Sequence, residues 1–219
     1  MSKVSITELT PALLLERSAD VFGDKTAIVY GDRSLTYEEF RTGTVRTARA
    51  FMASGITEGD RVGYLLPNLP EMLIAHFAVP LIPAVLVPIN IRLSGPEIEY
   101  ILDHSGASML VVDSALYPVV ASHLDAVPGL RETVVVHDPA SGAEPVEGHA
   151  TFEDFLARGT DEPLPFTVDD EERTISINYT SGTTGKPKGV MYSHRGGYLN
   201  ALAEVIHSNH VPESVYLWT

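Results

Sequence analysis

Residues 177–190, Ile-Asn-Tyr-Thr-Ser-Gly-Thr-Thr-Gly-Lys-Pro-Lys-Gly-Val, gather the groups best able to bind an anion. Gly182 and Gly185 allow sharp turns and close backbone approach to a ligand. Consecutive backbone N–H groups in such turns form anion-binding concavities. Thr180, Ser181, Thr183 and Thr184 add hydroxyl donors, and Lys186 and Lys188 add positive charge. The chain has four lysines (Lys3, Lys25, Lys186 and Lys188), and two of them fall here in a protein of formal net charge −14. Scarce lysines placed beside a glycine–hydroxyl turn point to a bound polyanion, with a triphosphate or pyrophosphate the natural candidate. The competing reading, a plain surface hairpin, does not account for the density of hydroxyls and lysines.

The spacing excludes the common phosphate loop, which needs four residues between its glycines and a Lys-Ser/Thr pair leading into a helix. Only Thr183 and Thr184 separate Gly182 from Gly185, and Pro187 follows Lys186. The β-rich Val190-Met-Tyr192 that comes next favours a strand. The grip is therefore expected in a loop between two strands, without help from a helix dipole.

Such a loop has to be held by a scaffold, and the rest of the chain supplies one. Strands are expected at Thr26–Tyr30, Arg61–Leu66, Ala84–Pro88, Ser108–Val112, Thr133–His137, Thr174–Tyr179, Gly189–Ser193 and Ser214–Trp218. Helices fill most of the gaps. Thr36 with Glu39 forms a capping box that opens a helix to about Ala53, ended by Gly55. Asn68 with Glu71 opens the next, and Ser94 with Glu97 a third, with Pro96 in its first turn and its end near His104–Gly106. Near-continuous apolar strands such as Met109–Val112 and Val134–Val136 read as buried on both faces. The fold class is thus α/β, a layered α/β body with parallel or mixed sheets. Proline- and glycine-rich loops around one short helix near Thr151–Arg158 lead to the acidic run Asp169–Glu172, a solvated connector by composition. This places a boundary between a subdomain at 1–170 and the start of a second at 171–219.

Composition narrows the functional classes. An acidic chain without a basic stripe does not bind nucleic acid in general, nor does it dock by charge on anionic lipid. The absence of cysteine excludes disulfide frameworks and cysteine-based zinc or redox chemistry, and suits a cytoplasmic protein. Residues 1–15 lack a basic segment followed by an apolar core, so no signal peptide is expected. The apolar stretch Met72–Ile91 is broken by His76, Pro80, Pro83 and Pro88 and reads as a buried helix then a buried strand rather than a membrane span. Among lesser candidates, His207 and His210 sit three apart without a third metal ligand in suitable spacing. His194 either faces the phosphate region or starts a helix. Tyr179 either packs beneath a nucleotide or closes a strand in the core. Asp60-Arg61 reads as a turn feature, and Tyr216 and Trp218 as core residues.

Tyr179–Val190 resembles the signature loop of the AMP-forming superfamily of acyl-CoA synthetases, peptide-synthetase adenylation domains and firefly luciferases. The resemblance extends upstream through Leu35–Phe40, Gly59–Val62, Leu66–Asn68, Ala84–Leu93, Glu97–Leu102 and Ser105–Ala107, covering about residues 10–219. Val87–Asn90 and Gly189–His194 are most similar to fatty- or aryl-acyl-CoA ligases. Pro83 departs from the glycine usual there. The resemblance implies that Thr180, Ser181, Gly182, Thr183, Thr184, Gly185, Lys186 and Lys188 surround the β- and γ-phosphates of ATP, with Thr180 helping to bind Mg2+. It implies a two-step reaction: a carboxylate, expected to be a fatty acid, forms an acyl-adenylate with release of pyrophosphate, then coenzyme A displaces AMP. No catalytic residue is assigned within the chain. Members of the family are more than twice as long, so the chain is expected to be the front part of such an enzyme. The adenine and acyl walls, a ribose-binding aspartate and a catalytic lysine would then lie beyond Thr219, and the 219 residues alone would not form acyl-adenylate. A carrier-protein ligase, a luciferase-like enzyme or a non-catalytic nucleotide-binding module are the alternatives. Homodimerisation stays open.

Overall fold

The computed structural model describes residues 7–180 and 186–218. The chain runs α1 (Pro11–Phe22), β1 (Thr26–Tyr30), β2 (Arg33–Thr36), α2 (Tyr37–Ala53), β3 (Arg61–Leu65), α3 (Pro70–Leu81), β4 (Val85–Pro88), α4 (Gly95–Ser105) and β5 (Ala107–Asp113). It continues through α5 (Tyr117–Val120), β6 (Glu132–Val136), β7 (Ala150–Thr151), α6 (Phe152–Leu156), β8 (Thr174–Thr180), β9 (Lys188–Ser193) and α7 (His194–His207). A seven-stranded sheet has the order β7-β6-β5-β3-β4-β8-β9. All its pairings are parallel except β8–β9, which is antiparallel. β1 and β2 form a separate hairpin. This is the mixed α/β architecture that the apolar strands call for.

Alternation along the central strands divides the interior in two. Val62 and Tyr64 of β3, with Met109 and Val111 of β5, face a core closed by Phe40 and Phe51 of α2, Ala75 and Ala78 of α3, and Phe155 of α6. Leu65, Leu110 and Val112 face the other core, closed by Ile98, Ile101 and Leu102 of α4. Phe51 and Phe155 are fully buried, with ring centroids 4.9 Å apart. Burying an aromatic side chain of this kind contributes about 1.5–3 kcal/mol.

Local signals set most of the helix starts. The Thr36 hydroxyl accepts from the Glu39 N–H while the Glu39 carboxylate accepts from the Thr36 N–H, at 3.1 and 2.8 Å. Ser94 donates its N–H and hydroxyl to Glu97 at 2.9 and 2.6 Å. Gly106 ends α4 in the left-handed region at φ +65°, where a Cβ would be strained. Thr151 caps α6 by accepting from the Asp154 N–H.

Two expectations are corrected. Asn68 does not cap α3: Leu69 is the cap residue, Pro70 fixes the first helical φ, and the Asn68 amide donates instead to the Trp218 carbonyl at 3.3 Å. Ser214–Trp218 is not a strand, and its apolar residues are not core: Val215 is 96% and Leu217 81% exposed, with Tyr216 exposed as well. A β-branched run becomes a strand only where a neighbour completes its ladder, and the described residues provide none for this one. The hairpin strand β2 and the two-residue β7 were not anticipated.

Candidate functional site

The glycine–hydroxyl segment lies between the last two strands of the sheet. β8 joins the parallel part through Leu86↔Ser176, which fixes its direction. β9 turns back against it in a register that runs from Thr174↔Ser193 to Thr180↔Lys188. Thr180 and Lys188 therefore face each other at the end of the β8–β9 ladder nearest residues 181–187, both exposed. Ser181, Gly182, Thr183, Thr184 and Gly185 lie outside the described residues. The structure thus pairs two of the sequence-selected residues, Thr180 and Lys188, and sets a third, Lys186, against α4. The described residues on either side of this segment are strands, β8 before it and β9 after it.

Helix α4 flanks this hairpin. Lys186 Nζ lies 4.8 Å from the centroid of the Tyr100 ring. Tyr100 and His104, one helical turn apart, place their rings 5.2 Å apart, and His104 meets Tyr179 of β8 edge-on at 5.8 Å. His104 Nδ1 and the Tyr179 hydroxyl share a hydrogen bond of 2.7 Å. Burial pushes the Tyr179 hydroxyl above its ordinary pKa, the neighbouring Tyr100 adds to the rise, and a hydrogen bond with Ser105 opposes it. Tyr179 thus closes a strand against the α4-side core. A groove of about 580 Å³ opens beside this stack, lined among others by Glu97, Glu99, Tyr100, Asp103, Lys186 and Pro187.

Behind the hairpin, His194 opens α7 and is 1% exposed. Its Nδ1 lies 2.9 Å from the Thr10 hydroxyl, which also accepts from the Ala12 N–H at the start of α1. Burial lowers the His194 pKa to about 4, with the Arg173 charge adding to the shift and Asp170 and Asp169 opposing it. Of its two sequence readings, the helix-start role holds: the ring is a neutral tie between α1 and α7. The acidic run is also engaged. Glu171 accepts from the Leu9 N–H at 2.6 Å and pairs with Arg195 at 2.5 Å, while Asp169 pairs with Arg173 at 2.7 Å. His207 ends α7, and His210 packs against Tyr216 at 5.9 Å. No group of three or more histidines or carboxylates suited to a metal occurs among the described residues.

Sequence reasoning passed over Tyr100 and His104, although their spacing of four on a capped helix already puts them on one face. It also passed over a buried acidic pair at the carboxyl ends of β5 and β6. Asp113 is 1% exposed, and its Oδ2 has no partner among the described residues. Asp138 accepts from the Tyr30 hydroxyl at 2.6 Å, which pushes that hydroxyl up to about 12. Nothing in local sequence pairs an aspartate ending one strand with another just beyond the next.

Residues 15–219 match the AMP-binding enzyme family. The chain belongs to that family. It is 42% identical over 216 residues to the 4-hydroxybutyrate–CoA ligase 2 of Metallosphaera sedula, covering 96% of the chain and 39% of that protein. It is 36% identical over 222 residues to a peroxisomal butyrate–CoA ligase of Arabidopsis thaliana, covering 96% of the chain and 38% of that protein. Among solved structures it is similar to a long-chain-fatty-acid–CoA ligase of Archaeoglobus fulgidus, with a TM-score of 0.81 at 29% identity, covering 95% of this chain and 41% of that one. It is also similar to an anthranilate–CoA ligase solved with anthranoyl-AMP, with a TM-score of 0.79 at 29% identity, covering 87% of this chain and 36% of that one. The chain spans about two-fifths of the length of the curated relatives it matches. Among the described residues, no helix is long and apolar enough to cross a membrane.

Proposed function

We propose that residues 180–188 grip the β- and γ-phosphates of ATP, and that the chain serves an AMP-forming ligase joining a carboxylic acid to coenzyme A. The observation that carries this reading is the Thr180↔Lys188 closure of a hairpin that holds two of the chain's four lysines. In the reaction, a carboxylate oxygen bonds to the α-phosphorus of ATP as the bond to the bridging oxygen breaks, releasing pyrophosphate. The thiolate sulfur of coenzyme A then attacks the acyl carbon, and AMP departs. Lys186, Lys188 and the loop hydroxyls serve the first step by neutralising the departing pyrophosphate and holding it in line.

The Thr180 hydroxyl, exposed at the hairpin mouth, fits a Mg2+ ion held chiefly by phosphate oxygens and water, which is how this ion usually binds nucleotides. When bound, that ion supplies further charge neutralisation on the phosphates. The names of the relatives favour a short aliphatic acid such as butyrate or 4-hydroxybutyrate within the expected fatty-acid class. Residues 1–170 and 171–219 are proposed as two successive subdomains, joined by strand pairing between β4 and β8.

Titration calorimetry with magnesium-ATP, magnesium pyrophosphate and AMP tests the grip. ATP and pyrophosphate should bind and AMP should not, since it lacks the β- and γ-phosphates. Equal binding of AMP and ATP would place the nucleotide elsewhere. Carboxylate-dependent pyrophosphate exchange by the 219 residues alone should stay at background.

A further inference from the structure

The acidic, aromatic groove between α4 and the hairpin has no part in the phosphate grip as described, yet it holds one of the grip's two lysines. Lys186 Nζ sits over the face of Tyr100 at 4.8 Å, within the range where a ring attracts a cation. Tyr100 is fixed in turn by the stack Tyr100–His104–Tyr179, which ties α4 to the end of β8. Glu97, Glu99 and Asp103 line the same groove. These three carboxylates repel the charge of a polyphosphate.

We propose that Tyr100 is a positioning residue: it docks Lys186 on α4 while the loop is empty, and a polyphosphate binds by drawing Lys186 off that ring. This inference rests on the phosphate-grip reading. Docking and gripping compete for one ammonium group, so the docked state lowers the apparent affinity for polyphosphate by the fraction of molecules in which Lys186 is docked. An exposed cation–ring contact corresponds to about a two- to fivefold effect on that equilibrium.

The four lysines make a direct test practical. In the full chain labelled with 13C on lysine side chains, one ε-methylene signal should be displaced by the Tyr100 ring current. It should vanish in Lys186→Ala, move to the ordinary lysine position in Tyr100→Leu, and persist in Tyr100→Phe, which keeps the ring face. Saturation with magnesium pyrophosphate should abolish the displacement. Tyr100→Leu should bind pyrophosphate about two- to fivefold more tightly, whereas in the Lys186→Ala background the same change should have no effect. Persistence at saturation of the displaced signal that Lys186→Ala removes, or its absence in the free chain, overturns the proposal. So does unchanged or weaker binding by Tyr100→Leu. If Lys186→Ala itself leaves pyrophosphate binding unchanged, the failure belongs to the phosphate-grip reading instead.

Discussion

His194 ties the segment behind the candidate site to the N-terminal helix, and its burial makes that tie depend on pH. Its folded pKa of about 4 lies below the ordinary 6.5, because the buried ring resists protonation. As pH falls, the unfolded chain therefore takes up a proton before the folded chain does. The contribution is whole above about pH 6.5 and drains away as pH falls toward 4. The full gap corresponds to about 3 kcal/mol. Between pH 7.5 and 5 the loss from this residue is about 2 kcal/mol, a large share of a typical domain's stability. Urea unfolding of the wild type and His194→Gln at the two pH values isolates the effect. Glutamine can still bond the Thr10 hydroxyl but does not titrate. His76, whose pKa desolvation likewise lowers, contributes equally to both proteins and cancels. The wild type should lose about 2 kcal/mol more than the variant on acidification. Equal losses would refute the neutral, buried role assigned to His194.

Asp113→Asn should stabilise the protein at neutral pH. Burial pushes the Asp113 carboxyl above its ordinary value, the Ala115 N–H bond opposes the rise, and the neighbouring Asp138 charge adds to it. For an acid with a raised folded pKa, stability is complete below the unfolded value and is lost as pH rises through the folded one. The uncharged amide should therefore raise the melting temperature at pH 7 by about 2–4 °C for a gain on the order of 1 kcal/mol. The gain should fade below pH 4, as followed by calorimetry. Gly106→Ala should cost about 1–2 kcal/mol in urea unfolding, because the residue sits at φ +65°. Its new Cβ would also lie 2.4 Å from an Arg61 guanidinium already held by the carbonyls of Ser105, Gly59 and Gly106.

The central sheet was readable because β3–β6 are buried on both faces, and near-continuous apolar runs with capped helices between them admit few alternatives. The candidate loop was readable because glycines, hydroxyls and lysines have few reasons to gather except an anion. Elements defined by their pairing partners were not. β2, the polar run Arg33–Thr36, is a strand only because it pairs with β1. Val215–Trp218 carries the apolar pattern of a strand and lacks a ladder neighbour among the described residues. Tyr100, His104 and Tyr179 meet only because β8 returns to the sheet beside β4, which no local pattern states.

The central claim is that the hairpin between β8 and β9 binds polyphosphate through Lys186 and Lys188. Its most direct test is calorimetric titration of magnesium-ATP into the wild type and the Lys186→Ala, Lys188→Ala double variant at two salt concentrations. Charge-assisted contacts contribute about 1.5–3 kcal/mol each, so the double variant should bind at least about tenfold more weakly. It should also lose most of the salt dependence. Unchanged affinity in the double variant would contradict the account.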